Sequence, residues 1–92
     1  MADNIQVPET ARDRNRVAPA KLAHFVLRTP RYTEMIHWYE TVLEAKVVAG
    51  SPFATFLTYD DEHHRVAFIN QPDCKPSDPN VAGVDHCAFT YE

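Results

Sequence analysis

The chain has 92 residues, 24% of them charged, with a formal net charge of −4. That length bounds one domain, and the acidic balance leaves no basic footprint for nucleic acid. No apolar run approaches the roughly twenty residues that span a bilayer and no signal peptide is visible, so a cytoplasmic location without a membrane or nucleic-acid partner is expected.

Residues 1–20 form a polar arm in which Arg12, Arg14 and Arg16 are interleaved with Glu9 and Asp13. The remainder is about seventy residues, a size at which one core is marginal without a metal, a partner or more chain. Leu22–Leu27 is a short apolar run that predicts a strand. Thr29-Pro30 suits a helix N-cap followed by the first helical position. From Arg31 to Glu44 the large apolar residues fall at Met35, Trp38, Tyr39, Val42 and Leu43. Steps of three and four define one face of a helix of about fourteen residues. Ala45–Ala49 predicts a strand ended by Gly50-Ser51-Pro52. Phe53–Tyr59, rich in aromatic and β-branched residues, predicts the next strand. Asp60–Glu62 is an acidic turn, and His64–Asn70 predicts a further strand. Residues 71–82 hold three prolines and form a linker, and Gly83–Tyr91 predicts one more strand.

The order is strand, helix, three strands, linker and strand, an α+β pattern. The last strand opens like the first, with Asp85-His86-Cys87-Ala88 beside Ala23-His24-Phe25-Val26. That is a hint of a repeated unit whose second copy stops after one strand, so the chain reads as a fragment of a longer protein. Residues 21–70 are then a first βαβββ module and 83–92 the start of a second. A single half-open sheet leaves edges and an apolar face to cover, so a homodimer is expected. Cys74 and Cys87 lack a paired-knuckle spacing and are expected as reduced thiols.

Histidine is the commonest protein metal ligand and the side chain that most easily shuttles protons near neutral pH. His24 and His86 lie in predicted strands, and His63-His64 stands at the mouth of another, so a metal site with an acid/base beside it is the chemistry these positions suggest. Side chains alternate along a strand. His24 then shares a face with Leu22 and Val26, and His86 with Val84 and Ala88. Those faces are expected inside a partial barrel lined by Phe56, Thr58, Val66 and Phe68. His37 on the helix is expected to pack or face solvent, and Trp38 and Tyr39 to be core.

Three segments resemble the vicinal oxygen chelate superfamily, also called the glyoxalase/bleomycin-resistance/dihydroxybiphenyl-dioxygenase fold. The first is His24-Phe25-Val26-Leu27-Arg28-Thr29-Pro30 with the helix carrying His37-Trp38-Tyr39 and Val42-Leu43; Glu44-Ala45 stands where the family usually has glycine. The second is His63-His64-Arg65-Val66-Ala67-Phe68, similar to the double-histidine strand of type I extradiol ring-cleaving dioxygenases. The third is Gly83-Val84-Asp85-His86-Cys87-Ala88-Phe89, similar to the opening strand of their second module. The resemblance implies that His24 and His86 are two ligands of a non-haem Fe(II) centre, with Mn(II) as the alternative ion. It makes His64 the acid/base and His63 a pocket neighbour. A 2-His-1-carboxylate face with open positions lets a catechol or dihydroxybiphenyl-like diol and O₂ bind side by side, as aromatic catabolism requires. The third, carboxylate ligand has no counterpart in this chain: Asp85 adjoins His86 and should point the other way. A glyoxalase-type isomerase would take a carboxylate from the fourth strand, where no acidic residue occurs between Glu62 and Asp73. A metal-free ligand-binding module of the bleomycin-resistance type needs none of the histidines.

Overall fold

The computed structural model describes residue 15 and residues 17–92, so most of the polar arm expected over 1–20 lies outside the described residues. The chain forms β1 (Phe25–Thr29), α1 (Tyr32–Val42), β2 (Lys46–Gly50), β3 (Ala54–Thr58) and β4 (Val66–Asn70). The βαβββ module is therefore present: α1, β3 and β4 are shorter at their ends than the apolar runs suggest, β2 is shifted by one residue, and β1 begins three residues later than expected and runs on to Thr29. The four strands make one sheet in the order β1-β4-β3-β2. β1 and β4 are parallel, with Phe25 opposite Val66 and Leu27 opposite Phe68. β4 pairs antiparallel with β3, and β3 with β2. Among the described residues no helix is long and apolar enough to cross a membrane.

The helix packs on one face of the sheet. Its inward stripe is Tyr32, Met35, Ile36, Tyr39 and Leu43, which meet Phe25, Leu27, Leu57, Val66 and Phe68. Phe68 and Leu57 are fully buried, and the Tyr39 ring meets Phe68 edge-on at 5.0 Å between centroids. This corrects the expected helix face: Trp38 is half exposed and Val42 is 41% exposed, although both follow helical spacing. Two overlapping stripes exist on this helix, and the sheet selects the one carrying Tyr32 and Ile36. Thr29 and Thr55 are the buried polar residues on the covered face; the Thr55 hydroxyl donates to the Tyr32 hydroxyl, which in turn donates to the Ser51 carbonyl.

The helix ends differ from expectation as well. Arg31 occupies the N-cap position and makes no side-chain cap bond. Thr29 lies two residues earlier, at the end of β1, where its Oγ1 accepts the Arg31 N–H at 2.9 Å. At the other end Leu43 donates to the Tyr39 carbonyl at 3.1 Å, and Glu44 follows at φ 50°, in the left-handed region. The chain must turn there so that the buried Ala45 can enter the core and lead into β2.

The strand expected over Gly83–Tyr91 is not formed; the segment is irregular. A strand is stabilised by ladder bonds to a neighbour, and this segment is held instead by side chains. Phe89 lies between Phe25 and Tyr59, and the Tyr91 hydroxyl donates to the Val42 carbonyl. Cys74 and Cys87 are free thiols.

A left-handed conformation costs an L-residue roughly 1–2 kcal/mol that glycine does not incur. The Glu44 side chain is exposed, so Glu44→Gly should stabilise the fold by about 1 kcal/mol once the extra chain entropy of glycine is counted. Urea denaturation measures this, and an unchanged or lowered midpoint would remove the claim of strain.

Candidate functional site

The parallel register decides where the histidines go. Phe25 and Val66 share the helix-covered face because they are partners in the ladder. Val26, Arg28, Ala67, Ile69, Ala54, Phe56 and Thr58 therefore share the other, open face. His24 immediately precedes β1, and by alternation it belongs to the open face with Val26. His64 lies two residues before β4, beside Arg65, whose carbonyl accepts the Phe25 N–H at 3.2 Å. The start of β1 and the entry to β4 are thus tied together.

The consequence is a histidine cluster at one end of the open face. The His24 and His64 rings lie 4.1 Å apart, tilted by 40°. Phe56 meets His64 nearly edge-on at 5.1 Å. His63 meets it nearly at right angles, also at 5.1 Å, with Nδ1 of each ring 2.8 Å apart. At that distance one Nδ1 carries the proton and the other accepts it. The pKa of His64 is lowered, first by burial, then by the neighbouring His24 and His63, against a smaller opposite pull from Glu62. His64 is accordingly biased to the neutral imidazole, the form that can take up a proton.

Of the expected site residues, His24, His63, His64 and Phe56 come together, with Thr58 on the same face. Val66 and Phe68 do not line this face: they are 1% and 0% exposed in the core under the helix. The opposite assignment arises because β4 is apolar at Val66, Ala67, Phe68 and Ile69 alike, so alternation along it is invisible without the pairing. His86 stands apart from the cluster. Its ring is 78% exposed and its Nδ1 lies 2.8 Å from the Asp85 carboxylate. Its neighbours Cys87, Ala88 and Phe89 line a hollow with Leu22, Ala23, His24, Phe25, Tyr59 and Arg65. Among the described residues, no group of three or more His, Cys, Asp or Glu side chains is arranged to hold a metal ion. A 2-His-1-carboxylate set therefore does not fit the side chains as they stand.

One residue beyond the expected set belongs to this region. Arg65 lies at the base of the cluster with its side chain only 13% exposed, paired to Asp60 at 2.9 Å. That pair holds the Asp60 carboxyl below the usual carboxylate range. The sequence signal was the arginine directly after the histidine pair and five residues after an aspartate, which looks like ordinary surface charge in a turn.

Residues 21–92 match the profile of the Glyoxalase/Bleomycin resistance protein/Dioxygenase superfamily. Two curated relatives come from Rhodococcus globerulus. Biphenyl-2,3-diol 1,2-dioxygenase 2 is 45% identical over 76 residues, covering 82% of this chain and 40% of the relative. Biphenyl-2,3-diol 1,2-dioxygenase 3 is 45% identical over 73 residues, covering 77% of this chain and 38% of the relative. The chain thus spans about 40% of the length of these relatives. No solved structure matches it.

The His64 environment has a measurable signature. Its ring should titrate below the ordinary 6.5 in an NMR pH series. His24→Ala should move that midpoint upward, because it removes a neighbouring positive charge and opens the ring to water. Since the unfolded state takes up this proton near 6.5 and the folded state only at lower pH, the associated stability is present above 6.5 and lost as pH falls through the folded value. A midpoint at or above 6.5 would contradict the packing described here.

Proposed function

The chain belongs to the Glyoxalase/Bleomycin resistance protein/Dioxygenase superfamily, and from that premise we propose that the protein works as an extradiol-type ring-cleaving dioxygenase. Its proposed substrates are O₂ and a catechol or biphenyl-diol-like aromatic. The observation that carries this reading is the contact of His64 with His24 and Phe56 on the open sheet face. The names of the two relatives support the choice of a diol. The metal of the proposal is Fe(II), with Mn(II) as the alternative. His24 and His86 are its proposed imidazole ligands and a carboxylate from outside the described residues is the third. The present arrangement of side chains does not assemble that set, so the proposed chemistry rests on what His64 and its neighbours do.

His64 is proposed as the group that takes a proton from a diol hydroxyl and later returns one. A general base must be largely unprotonated at working pH and within hydrogen-bond reach of its proton. The lowered pKa of His64 meets the first requirement. The proton would be taken at Nε2, whose lone pair is free when His64 donates from Nδ1 to His63 Nδ1. His63 then fixes the tautomer, a role more specific than lining a pocket. Phe56 stands nearly perpendicular to the His64 ring and offers an aromatic surface suited to a flat substrate ring. The isomerase alternative draws no support from β4, whose residues Val66–Asn70 include no carboxylate.

The test uses the longest natural form of the protein, loaded with Fe(II) under anaerobic conditions and supplied with biphenyl-2,3-diol. His64→Gln should keep its iron and lose about 10²- to 10⁴-fold in diol-dependent O₂ uptake. Loss of iron in this variant would reassign His64 as a ligand. Undiminished uptake would make it a bystander.

A further inference from the structure

The chain on both sides of His24 is held by Arg65. His24 lies before the first ladder residue of β1, so its own strand does not fix it. Arg65 touches the chain on both sides of it. The Arg65 carbonyl accepts the N–H of Phe25, one residue after His24, at 3.2 Å. Its Nη1 donates to the carbonyls of Leu22 and Ala23, just before His24, at 2.7 and 2.9 Å. The Arg65 N–H donates to the Leu57 carbonyl at 2.8 Å, which anchors the residue to β3.

The other side of the guanidinium is locked by Asp60. Nε lies 3.0 Å from each carboxylate oxygen, and Nη2 lies 2.9 Å from Oδ2. Asp60 is itself held by the Glu62 N–H, which donates to Oδ1 at 3.1 Å. One guanidinium therefore bridges the β3–β4 turn and the two residues before His24. A planar fork can do this because its donors point in several fixed directions, whereas a lysine ammonium presents three donors at a single point.

We infer that Arg65, oriented by Asp60, is a positioning residue that sets the His24–His64 contact. In the reaction proposed above, on which only this catalytic consequence rests, it holds the acid/base in register with the neighbouring imidazole. Arg65 touches no substrate in this role and acts through His24. The expected penalty for losing it is geometric, since a displacement near 1 Å in a reacting array can cost about 10²-fold in rate.

Arg65→Lys and Asp60→Asn test this in the longest natural form of the protein. Nuclear Overhauser contacts are recorded between the His24 and His64 rings. The Tyr39–Phe68 ring contact, on the opposite face of the sheet, reports whether the fold is intact. The expected result is an unchanged Tyr39–Phe68 contact in both variants and a weakened His24–His64 contact in both, more so in Arg65→Lys, which keeps only the backbone bonds of residue 65. Turnover of the diol by Arg65→Lys should fall roughly 10²-fold, with the loss in kcat. A His24–His64 contact of full strength in folded Arg65→Lys would overturn the inference. Should Arg65→Lys fail to fold, Asp60→Asn decides: a weakened contact supports the inference and an unchanged one overturns it. If no form of the protein turns over the diol, the dioxygenase reading fails while the ring contacts still decide the role of Arg65.

Discussion

The structure depends on the parallel pairing of β1 with β4. With Phe25 opposite Val66 and Leu27 opposite Phe68, four apolar side chains face the helix and the intervening residues face the open side. Because side chains alternate with a period of two, a slip of one residue would carry this whole set to the other face. Phe68 and Leu57 under Tyr39 make the alternative register costly, since burying or exposing one large apolar side chain is worth about 1.5–3 kcal/mol. The same register sends His24 to the open face and seats it next to His64. Core and candidate site are two faces of one alignment.

Much of this was legible from the residues. Apolar spacing located the helix, and runs of branched and aromatic residues located four strands in order. The histidines at the strand entries marked the end of the sheet where the imidazole rings come together. Three features were not legible, each for a physical reason. β4 is apolar on both faces, with Ala67 as buried as Val66 and Phe68, so its inward side follows only from its partners. The helix carries two overlapping apolar stripes, and packing against the sheet leaves Trp38 outside. Residues 83–91 have the composition of a strand, but composition cannot supply the neighbouring ladder that a strand requires. Arg65 and Asp60 illustrate the converse: charges in a hairpin turn look like a solvated surface, yet this pair fastens the turn to the approach of β1.

The site as folded is an imidazole cluster more than a metal centre. Two histidines in ring contact, with a third sharing a proton through Nδ1, suit proton transfer at a neutral imidazole. His86, exposed and paired with Asp85, lies on a segment held to the core by Phe89 and Tyr91 and not by a strand ladder. The proposed division of labour follows. The folded module positions the acid/base, and the ligand set is completed by groups that these described residues do not bring together.

A crystal structure of the longest natural form of the protein decides which side chains share a face. His24 and His64 should be in ring contact on the Phe56 side of the sheet, with Arg65 bridging Asp60 to the Leu22 and Ala23 carbonyls and with Val66 and Phe68 under the helix. His24 and His64 on opposite faces, or β1 paired with β4 one residue out of this register, would rule out the imidazole cluster as the site.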